Sequence, residues 1–249
     1  MTITKNNFLL SLIGIIIIFF IDSIFYGYIW DDFWLTTITL DEIINKTFNS
    51  YLIRPVMFFS YYLINLIFKS SIFDHLINIL LFIYLIKLMF DFTSDCFNKK
   101  STFLIILFWI FLPWVSHTII WISQRNDTLM LIFFFLALKQ FKNDKIVSSG
   151  VVLLLSLLSK LTVFLAPIYF IYKSKNNKFK LFFFSVLQIF FLYVAYLSYK
   201  RGLQELEHIN ELSFIENIFL KFYHLAEGLL TQIIPIPYFV NFYHFIIYL

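Results

Sequence analysis

Long runs of apolar residues recur along the chain, separated by short segments that hold most of the polar residues. The runs cover residues 8–27, 55–68, 72–90, 103–122, 128–141, 146–172, 181–199 and 228–249. A transmembrane helix needs about 20 apolar residues, whereas a transmembrane barrel shows short alternating segments. The pattern therefore predicts one all-α domain over residues 1–249, a polytopic transmembrane helical bundle of about seven to eight spans.

Two of these runs do not fit a simple crossing. The run 55–68 is too short to span a membrane, and its aromatic residues suit a helix in the interface plane. We therefore predict interfacial helices in a first outer loop, residues 28–70. The run 146–172 has Lys160 at its centre. We predict two short helices that meet at Lys160 beside a protein cavity, with a single span over a buried lysine as the alternative.

The distribution of lysines predicts the orientation of the bundle. Positively charged loops stay in the cytoplasm, and if 55–68 does not span, nine loop lysines lie there together with the N-terminus. The outer side then receives a second outer loop, 116–127, a possible amphipathic segment, 200–227, and most acidic residues. We predict a multi-pass protein of the inner or plasma membrane with an extracytoplasmic site. The nine lysines are Lys99, Lys100, Lys139, Lys142, Lys145, Lys173, Lys175, Lys178 and Lys180.

Composition narrows the class of protein. Hydrophobic residues make up 61% of the chain and charged residues 14%, against about 25% charged in soluble domains, so the lipid bilayer is the predicted environment. The net charge of +4 comes without a basic tract rich in aromatic residues, so no nucleic-acid partner is predicted. Cys96 is the only cysteine, which excludes an internal disulfide and a cysteine metal site.

Charged residues from three places are predicted to converge at the outer membrane edge. YIWDDFW contains Asp31 and Asp32, HTIIWISQRND contains Arg125 and Asp127, and Lys160 interrupts the sixth run. A carboxylate removes the proton of an attacking hydroxyl, and cations offset the charge on a phosphate leaving group. The plainer alternatives are a solvated loop for the aspartate pair and an interfacial anchor for Arg125. Lys160 is a stronger functional candidate, because ionisable groups at membrane depth are expensive.

Four segments follow one another in an order found in one family of membrane enzymes. They are YIWDDFW; IRPVMFFSYYLINLIFKSSIFDHLINILLF, with Arg54, Pro55, His75 and Asn78; HTIIWISQRNDTLMLIFFFLAL, with His117; and LLSLLSKLTVFLAPIYFI, with Ser159 and Pro167. Together they resemble the GT-C superfamily of polytopic glycosyltransferases, especially the protein O-mannosyltransferase branch and its tetratricopeptide-fused relatives. The chain departs from the family pattern where Phe82 replaces a second histidine, Gln124 a glycine and Leu161 a glutamate.

This resemblance implies a glycosyltransferase of cell-envelope glycosylation. Its donor would be a polyprenyl-phosphate-linked sugar, its acceptor an extracytoplasmic glycan, lipid or protein, and its reaction an inverting displacement. By position Asp31 matches the catalytic base and Asp32 its neighbour. Asp127 would assist them or, with Asp31, hold a divalent ion such as Mg²⁺ or Mn²⁺.

The resemblance also implies residues that bind the donor. Arg125, Lys160 and Arg54 would contact its phosphate, and the further site candidates are His117, His75 and Asn78. Two other functions stay open from the sequence. One is a multi-pass transporter or lipid flippase, and the other is a truncated, non-catalytic GT-C relative that acts as a membrane partner subunit.

Overall fold

The computed structural model describes residues 5–28, 32–50 and 53–207. Within these ranges the regular secondary structure is helical and contains no β-strand, which confirms the predicted all-α class. Predictions for Asp31, for residues 208–227 and for the run 228–249 lie outside the described residues. The α-helices of the described ranges are α1 (Lys5–Phe20), α2 (Asp32–Leu35), α3 (Leu40–Asn49), α4 (Pro55–Ile67), α5 (Ser71–Thr93), α6 (Lys99–Ile110), α7 (Pro113–Ile120), α8 (Arg125–Lys142), α9 (Ile146–Ser159), α10 (Ala166–Lys173) and α11 (Lys178–Glu207). Short 3-10 helices follow α1, α7 and α9, at Ile21–Phe25, Ile122–Gln124 and Leu161–Val163.

Three helical stretches are long and apolar enough to cross a membrane. They are Asn6–Phe25, formed by α1 and the 3-10 turn after it, Ser71–Thr93 in α5, and Lys178–Gly202 in α11. This finding is compatible with the membrane protein that the composition predicts. In the described part of the chain, helix length does not support the predicted count of about seven to eight spans.

The apolar runs overstate the number of long helices because several of them contain helix breaks. The run 103–122 is divided where α6 ends at Ile110 and α7 begins at Pro113, a residue that lacks the N–H needed inside a helix but suits its first turn. The run 128–141 lies in the 18-residue α8, which is long enough but carries four charged residues. These charges are Arg125, Asp127, Lys139 and Lys142.

The helix break predicted at Lys160 is confirmed. Lys160 has an extended backbone, φ −156° and ψ 133°, between α9 and the next 3-10 turn. Beyond the break the chain turns back, because Phe170 of α10 packs its ring at 5.2 Å from that of Phe141, which lies at the far end of α8. The run 146–172 therefore forms two short helices, and the alternative of one span over a buried lysine is wrong.

The segment expected to lie in the interface plane forms α4, a helix of 13 residues. It is shorter than a full crossing requires, in agreement with the sequence prediction. Ahead of it, α3 begins with a capping box, in which Thr39 and Glu42 exchange hydrogen bonds with each other's backbone N–H. The orientation of α3 and α4 relative to a bilayer stays a prediction.

Three apolar clusters hold the helices together. The first joins α1, α5 and α6 through buried residues such as Leu12, Phe82 and Ile106. A second cluster packs α8 and α9 against α10 and α11. The third joins α2, α3 and α4 and includes Tyr61 and Ile122, so it fixes the short segment that leads into α8.

Helices α5 and α8 run parallel, so contacts between their side chains define two ends of the bundle. Arg125 Nε donates to Asn78 Oδ1 at 2.6 Å. Lys142 and Asp95 each come 17 residues after these two, at or just past the ends of α8 and α5, and Lys142 Nζ lies 2.6 Å from Asp95 Oδ2. At 1.5 Å per residue, these contacts lie about 25 Å apart along the helices. We call the end that holds Arg125 the site end and the end that holds Lys142 the lysine end. Lys180, in the first turn of α11, pairs with Asp144 at the lysine end.

Packing between α8 and α9 determines where Lys160 lies. The Ser149 hydroxyl donates to the Ala137 carbonyl at 2.9 Å, and the Ser156 hydroxyl donates to the Met130 carbonyl at 2.7 Å. These two bonds set an antiparallel register in which each step along α9 matches a step backwards along α8. Continued for one turn past Ser156, the same register brings Lys160 beside the first turn of α8.

Candidate functional site

A cleft of about 220 Å³ opens beside the first turn of α8. One side is formed by the last turn of α7, and the other by the 3-10 turn and the start of α8. The cleft is large enough for a phosphate or part of a sugar. Its lining residues are His117, Thr118, Trp121, Gln124 and Asp127.

Asp127, which lines this cleft, forms an ion pair with Lys160. Lys160 Nζ lies 2.6 Å from both carboxylate oxygens of Asp127. The two side chains keep 17% (Asp127) and 21% (Lys160) of their surface exposed, so the pair is shielded but still reachable from water. Of the predicted site residues, these two are brought into direct contact at a cavity.

Arg125 lies two residues from Asp127 but in a dry environment. Its guanidinium contacts Asp74 Oδ1 at 2.8 Å, and neither side chain exposes more than 1% of its surface. Nε donates to Asn78 Oδ1, and Nη2 also donates to the Asp74 carbonyl at 3.1 Å. With no exposed surface and its charge balanced by Asp74, Arg125 does not reach the cleft in this arrangement. Its predicted role at the donor phosphate stays a prediction.

Two tyrosines complete the buried network around Arg125. The ring of Tyr61 packs against the guanidinium at 4.2 Å, and its hydroxyl donates to the Ile122 carbonyl. Burial raises the pKa of Tyr61. The Tyr28 hydroxyl donates to Asp74 Oδ2 at 3.2 Å, and partial burial together with the negative charge of Asp74 raises the pKa of Tyr28 to about 12. Both hydroxyls therefore stay protonated at neutral pH.

Of the aspartate pair in YIWDDFW, the structure describes Asp32 alone, since Asp31 lies outside the described residues. Asp32 is 1% exposed, and its Oδ1 accepts a hydrogen bond from the Ser123 N–H at 2.8 Å. It thus links α2 to the turn before α8 and supports the rim of the cleft without lining it. The catalytic roles predicted for Asp31 and Asp32 stay predictions.

Arg54 lies in a different place from Lys160. It lines a smaller cleft of about 70 Å³, on the other side of the 3-10 turn, with Trp34, Phe58 and Gln124 among its neighbours. Gln124 lines both clefts. The shared role that the sequence predicted for Arg54 and Lys160 at the donor phosphate stays a prediction.

The three further candidates have different surroundings. His117 is exposed in the cleft, with its ring 5.7 Å from that of Trp121. Asn78 is buried and positions Arg125, while its amide donates to the Trp121 carbonyl at 3.2 Å. His75 is 1% exposed and does not line the cleft. Only His117 is thus in a position to meet a ligand in the cleft.

The divalent ion expected at Asp31 and Asp127 stays a prediction. Among the described residues, no group of three or more His, Cys, Asp or Glu side chains is placed to hold a metal ion. Both oxygens of the Asp127 carboxylate contact the Lys160 ammonium in this arrangement. The other predicted ligand, Asp31, lies outside the described residues.

Sequence reasoning missed Asp74 and Tyr61 as parts of the network that surrounds the site. Asp74 stands four residues before Asn78, so both project from the same face of one helix. That spacing was a usable signal for a polar face on α5. Tyr61 gave no such signal, because its contact with Arg125 joins residues that are far apart in the sequence.

Comparison of the chain with family models, with curated proteins and with solved structures finds no match.

Proposed function

We propose that the protein is a membrane glycosyltransferase of GT-C type, which transfers a sugar from a polyprenyl-phosphate-linked donor to an extracytoplasmic acceptor. The observation that carries this proposal is the Asp127–Lys160 pair beside a cleft, 2.6 Å from nitrogen to oxygen. A carboxylate that lines a cleft and an ammonium in contact with that carboxylate supply a proton acceptor and a phosphate-binding cation. The four-segment resemblance in the sequence supports the same chemistry.

In the proposed reaction, the acceptor oxygen forms a bond to the anomeric carbon as the bond from that carbon to the phosphate oxygen breaks. The electron pair of the broken bond stays on the phosphate, where Lys160 offsets its charge. The acceptor proton passes to a carboxylate. Asp31 is the base by resemblance, and Asp127 is the carboxylate that lines the cleft in the described residues.

The two ends of the bundle support the proposed orientation. Asp32, Arg125, Asp127 and Lys160 all lie at the site end, whereas Asp95–Lys142 and Asp144–Lys180 lie at the lysine end. Cationic loops favour the cytoplasm, so we place the site end outside. We keep the seven-to-eight-span topology as part of the proposal, with α6 and α7 together as one passage back to the site end.

The orientation can be tested with one cysteine on each side of the membrane. Native Cys96 is exposed at the lysine end, and Thr37 is exposed in the first outer loop. In intact cells we expect a membrane-impermeant maleimide to label Thr37→Cys in a Cys96→Ser background. It should label native Cys96 only after the cells are opened. The reverse pattern would overturn the orientation.

The activity itself is tested with purified protein in lipid nanodiscs. The substrates are undecaprenyl phosphate carrying a radiolabelled hexose or pentose and a cell-envelope extract as acceptor. We expect label to move to a product that organic solvent does not extract, and Asp127→Asn and Lys160→Gln to reduce this transfer by at least about 10²-fold. Asp95→Asn, which changes the same charge at the lysine end, is the matched control. Movement of the lipid-linked sugar between leaflets without a new glycosidic bond would favour a flippase instead.

A further inference from the structure

The cation best placed to bind a phosphate in the cleft is already paired. Lys160 Nζ contacts both oxygens of Asp127, and within the described residues neither of these charged groups has another charged partner. An ammonium neutralised in this way attracts a second anion weakly. Both oxygens of the carboxylate are likewise engaged by the ammonium. Each partner therefore blocks the function proposed for the other.

We infer that the phosphate of the donor displaces Asp127 from Lys160, and that this exchange releases the carboxylate for the acceptor step. The inference rests on the proposed function, since it concerns the order of events at the same cleft. It makes donor binding a condition for the release of Asp127. An acceptor hydroxyl that enters first would meet a carboxylate that is still held by the lysine.

The exposure of the pair permits such an exchange. Both side chains keep about a fifth of their surface open, 17% and 21%, and Asp127 lines the cleft itself. Lys160 lies at a helix break and carries its charge on a flexible stem, so its ammonium can turn from one anion to another. The entering phosphate also approaches the first turn of α8, where the helix dipole favours negative charge.

The neighbouring cation does not have this freedom. Arg125 has no exposed surface, and Asp74 and Asn78 hold its guanidinium from two sides. An anion from the cleft would have to enter the buried network to reach it. Arg125 begins α8 and Lys160 lies beside its first turn, and of these two cations Lys160 is therefore the one that can change its partner.

Atoms and charges balance over the cycle. The donor phosphate takes the place of the Asp127 carboxylate at Lys160. The freed carboxylate then accepts the proton of the acceptor hydroxyl while the new carbon–oxygen bond forms and the bond to the phosphate breaks. After the polyprenyl phosphate leaves, Asp127 gives its proton to water and pairs with Lys160 again.

The exchange predicts that a variant without the carboxylate binds phosphate more tightly. The probes are undecaprenyl phosphate in nanodiscs, inorganic phosphate in solution and neutral undecaprenol. We expect Asp127→Asn to bind undecaprenyl phosphate about three- to tenfold more tightly than the wild type, because the competing anion is gone. Asp127→Ser should also bind undecaprenyl phosphate more tightly, so the test does not depend on the correct folding of a single variant. Inorganic phosphate that shows the same tightening would identify the free ion, and not the lipid, as the ligand.

The matched controls separate this effect from a general change of charge. Asp95→Asn removes a carboxylate from a pair of equal length, 2.6 Å, at the lysine end and should leave the affinity unchanged. In a Lys160→Gln background, binding should weaken at least about tenfold, and Asp127→Asn should no longer tighten it. Undecaprenol should bind all variants equally.

The outcomes distinguish the inference from the proposed function. If the wild type binds undecaprenyl phosphate and both Asp127 variants bind it equally or less tightly, the exchange is wrong while the donor class stands. If neither the wild type nor any variant binds it above undecaprenol, the donor class fails and the exchange fails with it.

Discussion

Two ion pairs flank the first turn of α8 and differ in their contact with water. Asp74–Arg125 is sealed, with at most 1% of either side chain exposed, and it is surrounded by Asn78 and two tyrosines. Asp127–Lys160 lies beside a cleft, and about a fifth of each side chain is open. A sealed pair stabilises a structure only while both partners are present. In a pair that is partly exposed beside a cleft, a ligand can replace one partner. The first turn of α8 therefore contributes Arg125 to a structural pair and Asp127 to a pair with a proposed chemical role.

Removal of one partner of the sealed pair should have the largest effect on stability. We expect Asp74→Asn to lower the free energy of unfolding by about 3–5 kcal/mol, because the Arg125 charge is then buried without a counter-ion. Unfolding in mixed detergent micelles, followed by helix content as SDS is added, measures the loss. Replacing both partners, Asp74→Leu with Arg125→Met, should recover much of it. A loss below about 1 kcal/mol in the single variant would contradict the role of the pair.

Loss of the Asp127–Lys160 pair should affect stability little and activity strongly. We expect Asp127→Asn to lower the free energy of unfolding by only about 1 kcal/mol, because water reaches both partners. The same variant should reduce sugar transfer by about 10²–10⁴-fold, the usual contribution of a positioned proton acceptor. The micelle assay and the nanodisc transfer assay measure the two effects on one preparation. Equal losses in Asp127→Asn and Asp74→Asn would remove the distinction between the pairs.

The Tyr28 hydroxyl bonds to the sealed pair and should make stability depend on alkaline pH. Partial burial and the nearby Asp74 carboxylate raise the pKa of Tyr28 to about 12, from about 10 for an unperturbed tyrosine. The folded state therefore holds the proton more tightly, and this contribution is fully present below about pH 10 and lost as the pH rises through about 12. Tyr28→Phe should abolish this part of the pH dependence and cost about 1 kcal/mol at neutral pH. If Tyr28→Phe loses stability with rising pH in the same way as the wild type, groups other than Tyr28 cause the alkaline dependence.

The smallest effect is expected at the lysine end. Asp95 and Lys142 keep 59% and 48% of their surface exposed, so their pair is screened by water and salt. We expect Asp95→Asn to change the free energy of unfolding by less than about 0.5 kcal/mol and to leave sugar transfer intact. Titration of the wild type and the variant with salt should give parallel curves. A larger loss would show that exposure does not rank the three pairs.

The sequence predicted the fold class well and the helix lengths less well. Apolar runs indicated helices, and Lys160 indicated a break, since a charge in the middle of an apolar helix needs a polar site. The count of spans was less accessible, because a run such as 103–122 reads as one segment even though it forms two helices. Hydropathy sums the side chains in a window, whereas a proline or an extended residue interrupts the backbone without lowering that sum.

The candidate site was predicted in part. Asp127 and Lys160 were both named from the sequence, but their contact depends on the serine bonds that set the register of α8 against α9. Arg54 was assigned to the same phosphate, and it lines a second, smaller cleft and not the one at Asp127. Such separations are set by tertiary packing and not by the spacing of residues along the chain.

The sequence by itself determined the helical class and the positions of the apolar runs, and it predicted a membrane environment, because each follows from local composition and hydropathy. Only the tertiary structure decided which charges are sealed and which face a cleft. Arg125 and Asp127 are two residues apart and equally polar, but successive positions on a helix point in different directions. Arg125 turns towards Asp74 in the interior, and Asp127 turns towards Lys160 at the cleft.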